Sequence, residues 1–226
     1  MNYSLMKNNK VFIAGEVISA PKFSHEVYGE GFYEFDLKVT RLSDTYDIIP
    51  VTISERLMGD NNIAIGSKIS GNGQFRSYNK LEDGKSKLIL TVFLREILPY
   101  KEEENPNVIE IIGYVCKEPV FRTTPFKREI SDVLLAVNRS YNKSDYLPCI
   151  AWGRNARFVK DFKIGDKVVV SGRIQSRIYQ KKIGEEIVSR TAYEVSLNKI
   201  ELINDDEVLV DSMMTSAGQL ENYYVR

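Results

Sequence analysis

Trp152, the only tryptophan in the chain, lies in YLPCIAWGRNARFV (146–159), two residues before Arg154. Tyr141, Tyr146 and Tyr179 occur near it, interleaved with Arg139, Lys143, Arg154, Arg173, Arg177, Lys181 and Lys182. Rings and cations in this mixture suit one chemistry. An aromatic face stacks on any nucleobase, contributing about 1–3 kcal/mol per base, while neighbouring cations follow the phosphates. The same rings could instead pack on a helix or a partner subunit. Four of them in the basic part of the chain favour single-strand binding.

Other chemistries lack their residues. His25 is the only histidine, and Cys116 and Cys149 sit in separate apolar runs, so His and Cys alone assemble no four-ligand zinc site. The same shortage removes Ser-His-Asp and Cys-His nucleophile arrangements. DGKS (83–86) lacks the glycine that a phosphate loop needs five residues before Gly84, where Asn79 stands. Glu102–Glu104 reads as a solvated charge cluster. No enzyme, metal or cofactor is expected.

The rings need strands to position them. In 146–152 the odd positions Leu147, Cys149 and Ala151 are small and apolar, as a barrel interior requires, which places Tyr146, Pro148, Ile150 and Trp152 on the outer face. VFIAGEV, DVLLAV, DKVVVSGRI and TAYEVSLNKIEL have strand lengths and patterns, with Asp83-Gly84 and Ile183-Gly184 at expected hairpin tips. In GRNARFVKDFKIGD (153–166), Ala156, Val159 and Phe162 fall at helical spacing. Three strands, a short helix and two strands give the element order of the OB fold, a five-stranded Greek-key barrel.

This pattern occurs twice. Gly15, Val17, Pro21, Phe23 and Pro50 recur 98 residues later as Gly113, Val115, Pro119, Phe121 and Pro148, and LKVTR (37–41) recurs as LAVNR (135–139). IGSKISGNGQF (65–75) recurs 99 residues later as IGDKVVVSGRI (164–174). The expectation is an all-β chain of two tandem OB-fold domains, each with a short helix between its third and fourth strands. The domains span 8–98 and 107–203, with a linker over 99–106 and a short, partly acidic tail over 204–226. Residues 1–106 carry 13 basic and 15 acidic side chains (net −2), 107–202 carry 17 and 11 (+6), and 203–226 carry 1 and 5 (−4). The basic second domain is the one a polyanion would seek. No apolar run approaches the ~20 residues that span a bilayer. MNYSLMKNNK has no signal-peptide core, and the cysteines read as buried thiols, so a cytoplasmic protein is expected.

IGYVCKEPVFRTTP (112–125), LAVNRSY (135–141), IAWGRNARFV (150–159) and GDKVVVSGRIQSRIY (165–179) cover nearly the whole second domain, which resembles the bacterial single-stranded DNA-binding protein family. The resemblance implies that Tyr141, Tyr146, Trp152 and Tyr179 are base-stacking rings. It also puts Arg122 and Arg154 at basic positions beside the strand path. It implies single-stranded DNA as ligand, a role in DNA replication, recombination or repair, contacts with proteins of those processes, and a homodimer offering four OB domains. The tail, NDDEVLVDS then ENYYVR, departs from the acidic Pro-Phe ending usual in the family. In the first domain, Ile48, Pro50, Thr52 and Ser54 take the outer positions, leaving Tyr78 with Arg76, and Tyr46, as possible contacts. Weak DNA binding, dimerisation or partner contact is expected there. That domain more faintly resembles primosomal replication protein N, and an OB-fold adaptor acting by protein contact is the alternative reading.

Overall fold

The computed structural model describes residues 7–203 except 44, 83, 103–104 and 184–185, and only the backbone of 82, 85, 181–183 and 186. The first unit runs β1 (Asn9–Val17), β2 (Lys22–Val27), β3 (Glu30–Thr40), β4 (Tyr46–Ser54), α1 (Glu55–Gly59), β5 (Lys68–Glu82) and β6 (Lys85–Leu98). The second runs β7 (Asn107–Thr123), β8 (Glu129–Arg139), β9 (Lys143–Trp152), α2 (Arg154–Val159), β10 (Lys167–Ile183) and β11 (Glu186–Leu202). Each is an OB-fold barrel, closed by β1–β3 in the first and by β7–β10 in the second. Both contain one parallel pair in otherwise antiparallel sheet, Val51–Val92 in the first and Cys149–Val195 in the second. The tail over 204–226 lies outside the described residues.

The two copies differ at their first strand although each carries a proline there. Proline removes a ladder donor from a strand. Around Pro21 the strand breaks into β1 and β2, whereas around Pro119 the unbroken β7 bulges between Lys117 and Val120.

The expected inner faces are buried. Leu147, Cys149 and Ala151 are at most 3% exposed, and Ile49, Val51 and Ile53 are fully enclosed. The outer faces differ from simple alternation. Ile150 is buried, and so is Thr52, which is hydrogen-bonded to Thr91 Oγ1 at 2.8 Å. The sheet encloses this position on both sides: strand β9 runs between β8 and β11, with Asp132 and Ser196 flanking Ile150. Period two reads the direction of a side chain but not the height of its neighbours.

The barrels form one continuous sheet. β1 pairs antiparallel with β7, and Val11 faces Ile109, its own counterpart 98 residues on. A pseudo-two-fold axis therefore passes through that pair. Asn9 and Asn107 obey it: each amide side chain donates to and accepts from one backbone residue, Phe75 and Ile174 respectively, at 2.7–3.0 Å. The arms of the long hairpins also cross between barrels. Asp47 Oδ1 accepts from the Ser176 amide at 2.7 Å and the Ser176 hydroxyl accepts from the Ile48 amide at 3.2 Å. Across the axis, Asp145 Oδ1 accepts from the Ser77 amide and the Ser77 hydroxyl from the Tyr146 amide, both at 2.7 Å.

Candidate nucleic-acid interface

Trp152 ends β9, just before α2, and is 37% exposed. Its indole Nε1 donates to the Ser196 hydroxyl on β11 at 3.2 Å, so the ring has a fixed orientation. The ring lines an open cleft of about 400 Å³ with Arg41, Arg128, Arg173, Gln175, Ser176 and Arg177. Four guanidinium groups around one anchored ring can neutralise phosphates on either side of a stacked base.

The arginines are held by different partners. Arg41 reaches in from the first barrel and makes two hydrogen bonds to Asp47, at 2.8 and 2.6 Å. That bond raises its pKa above the ordinary arginine value, against the effect of burial. Arg173 also contacts Asp47, at 3.1 Å, but burial and the nearby Arg41 lower its pKa. Arg177 pairs with Glu194 at 3.4 Å and stands 5.8 Å from the Tyr179 ring. Arg128, in the loop after β7, is exposed.

The remaining expected residues are spread over several places. Tyr146 is 47% exposed on the outer face of β9. Tyr141 is 86% exposed at the tip of the β8–β9 hairpin, where it and Asn142 adopt left-handed backbone with φ of 63° and 53°. Tyr179 lines a larger cleft of about 860 Å³ between the β5–β6 and β10–β11 hairpins, on the pseudo-axis, with Pro50 and its counterpart Pro148 among its walls. Arg122 pairs with Asp132 at 2.8 Å, which raises its pKa, and Arg154 is exposed at the start of α2. The side chains of Lys181 and Lys182 lie outside the described residues. Arg139 pairs with Asp145 at 3.4 Å and lines a cleft of the first barrel together with Arg76 and Tyr78.

Residues 106–203 match the family model described as Single-strand binding protein family. The matched residues span the second barrel. Single-stranded DNA-binding protein A of Bacillus subtilis (strain 168) is 32% identical over 88 residues, covering 36% of this chain and 51% of that protein. Single-stranded DNA-binding protein 2 of Listeria innocua serovar 6a is 29% identical over 108 residues, covering 45% of this chain and 68% of that protein. The chain thus spans about half the length of the Bacillus relative. The wild-type single-stranded DNA binding protein from Thermus aquaticus superposes with a TM-score of 0.69 at 20% identity. That superposition covers 87% of this chain and 93% of the other, so the shared fold extends over both barrels.

Sequence reasoning missed Arg41 and Gln175 as cleft residues. Arg41 carried a signal: it ends LKVTR as Arg139 ends LAVNR, in the same 98-residue repeat. Among the described residues no group of three or more His, Cys, Asp or Glu could hold a metal ion. No helix there is long and apolar enough to cross a membrane.

Proposed function

We propose that this chain binds single-stranded DNA with little sequence preference, by base stacking and phosphate neutralisation, in replication, recombination or repair. The observation that carries this reading is the oriented Trp152 ring set among Arg41, Arg128, Arg173 and Arg177. The names of the curated relatives, single-stranded DNA-binding proteins, support it. Trp152, Tyr146, Tyr141 and Tyr179 are the stacking rings, with Arg122, Arg154, Lys181 and Lys182 along the strand path. The chain is a non-enzymatic, cytoplasmic protein. Two copies associate to give four barrels, a reading supported by Ile112 and Tyr114, each 36% exposed on the outer side of the continuous sheet.

Trp152 fluorescence during titration with oligo-dT, at low and high salt, tests the function. Strong quenching is expected, with affinity falling by about 0.7 log units per decade of salt for each phosphate contact. Replacing Trp152 and Tyr146 by alanine should remove tight binding at the second barrel while circular dichroism stays unchanged. An unquenched tryptophan and no gel shift would sink the proposal and leave the outer face to protein contact.

A further inference from the structure

The cleft that holds Trp152 has a twin across the pseudo-axis. This twin, about 580 Å³, is lined by Phe23, Arg76, Tyr78, Phe93 and, from the second barrel, Arg139. Arg139 is the counterpart of Arg41, 98 residues apart, and Arg76, Ser77 and Tyr78 are the counterparts of Gln175, Ser176 and Arg177, 99 apart. Each cleft is thus built on one barrel and receives an arginine from the other.

The ring has changed walls. Ser54 stands where Trp152 stands, which is why the first barrel looks stripped along its third strand. The pairing supplies the missing aromatic. Thr52 pairs with Phe93 as its counterpart Ile150 pairs with Ser196, so Phe93 occupies the place of the serine that anchors Trp152. One barrel puts the ring on its third strand and a serine on its fifth, and the other does the reverse.

Phe93 is set up as a platform. The Arg76 guanidinium lies 3.8 Å from the ring centroid, and Phe32 lies against the ring at 5.6 Å, tilted by 38°, with His25 stacked on Phe32 at 5.1 Å. Gln74 Oε1 accepts from Arg76 Nε and Nη2 at 3.3 and 2.9 Å, which holds the guanidinium in its plane. A flat guanidinium on an aromatic ring is a surface on which bases stack. Phe23, 62% exposed, and Tyr78, whose hydroxyl donates to Glu34 at 3.1 Å, add further rings to the walls. Charge points the same way. Burial first, then Arg139 and Arg95, lower the Arg76 pKa to about 10, with Asp145 opposing. It stays protonated at neutral pH among like charges, a situation a phosphate relieves.

We infer that the Phe93–Arg76 cleft of the first barrel is a second nucleobase-stacking site, taking one unstacked base of a single strand and its phosphate. The inference rests on the single-strand reading above, but it concerns a different cleft, built on the other barrel.

Stoichiometry separates the two. A labelled oligo-dT of about 8 nucleotides, within the site size of one OB fold, is titrated into the full chain while Trp152 quenching is followed separately. The wild type should bind two per chain. Phe93→Ala should bind one, with Trp152 quenching unchanged and affinity for the lost site weakened about 5- to 100-fold. Phe93→Leu, which keeps apolar bulk without the π face, should behave like Phe93→Ala at near wild-type Tm. Two oligonucleotides bound by both variants, or one by the wild type with Trp152 quenched, overturns the inference and leaves the second-barrel reading intact. One bound by the wild type with Trp152 silent, and none by Phe93→Ala, sustains it and sinks the role of Trp152.

Discussion

The carboxylate of Asp145, in the second barrel, accepts a 2.7 Å hydrogen bond from the backbone amide of Ser77, in the first. Asp47 and Ser176 repeat this contact at the same distance across the pseudo-axis, yet the two aspartates are electrostatically unlike. Burial raises the pKa of both. At Asp47 the hydrogen bonds from Arg41 and Ser176 and the charge of Arg173 outweigh it, and the pKa is lowered. At Asp145 burial prevails over Ser77, Arg139 and Arg76, the pKa is raised, and Oδ2 is buried without a hydrogen-bond partner. Gln74 stands where Arg173 stands 99 residues on, so the arginine that makes the second ion pair to Asp47 has no equivalent at that position; Arg139 pairs with Asp145 at 3.4 Å and Arg76 acts as a nearby charge.

This asymmetry predicts opposite pH dependence. Asp47 contributes stability that is present above the ordinary aspartate pKa and lost as pH falls through its lowered value. Asp145 contributes stability that is fully present below the ordinary value and lost as pH rises through its raised one. Asp47→Asn should therefore cost about 2–4 kcal/mol at pH 7, because it leaves two arginines unpaired. That cost should shrink on acidification. Asp145→Asn should cost about 1 kcal/mol or less at pH 7, since an amide oxygen still accepts from Ser77, and more as pH falls below the aspartate range. Urea unfolding at several pH values decides it, and parallel pH profiles for the two variants would refute the assignment.

Gly172 gives a steric prediction. The β10–β11 register shifts between Ser171 and Gly172, and a Cβ there would lie 2.1 Å from the Ser196 carbonyl oxygen. Gly172→Ala should destabilise by about 2–4 kcal/mol, since only backbone movement relieves the clash. The movement displaces Ser196, the anchor of Trp152, so the indole emission of the folded variant should shift. Unchanged Tm and emission would count against the bulge as the pivot of this cleft.

Asn107→Ala should leave the amide and carbonyl of Ile174 buried without their side-chain partner, at a cost of about 2–4 kcal/mol. Asn9→Ala should do the same at Phe75. Because the two sites lie in different barrels, the double variant should be close to additive in chemical unfolding. Strong coupling would mean that the barrels share this contact energy through the β1–β7 seam.

Arg128 tests the electrostatics of the Trp152 cleft without disturbing the joint between barrels. It is exposed, and its loop is anchored by the backbone bond from the Thr124 amide to the Arg128 carbonyl at 2.8 Å, which a side-chain change leaves in place. Arg128→Ala should keep Tm and lower the salt dependence of oligo-dT affinity by about 0.7 log units per decade, one phosphate contact. An unchanged slope would remove Arg128 from the strand path.

Much of this architecture was legible in the chain itself. A repeat held at offsets of 98 and 99 requires two copies of one fold, and apolar alternation identifies their strands because inward side chains must be apolar wherever they meet the core. Trp152, the tyrosines and the basic residues declare a chemistry by type alone. Tertiary structure decided which residues work together. Ile150 and Thr52 are directed outward by period yet buried, because neighbouring strands rise around them. Arg41 and Arg139 each line the cleft of the other barrel, an exchange that depends on how two curved hairpins cross. Phe93 replaces Trp152 from a different strand, visible only once the parallel pairing of β4 with β6 is known. Sequence patterns record neighbours along a strand, whereas these contacts join residues brought close by closure of the barrels and by the axis between them.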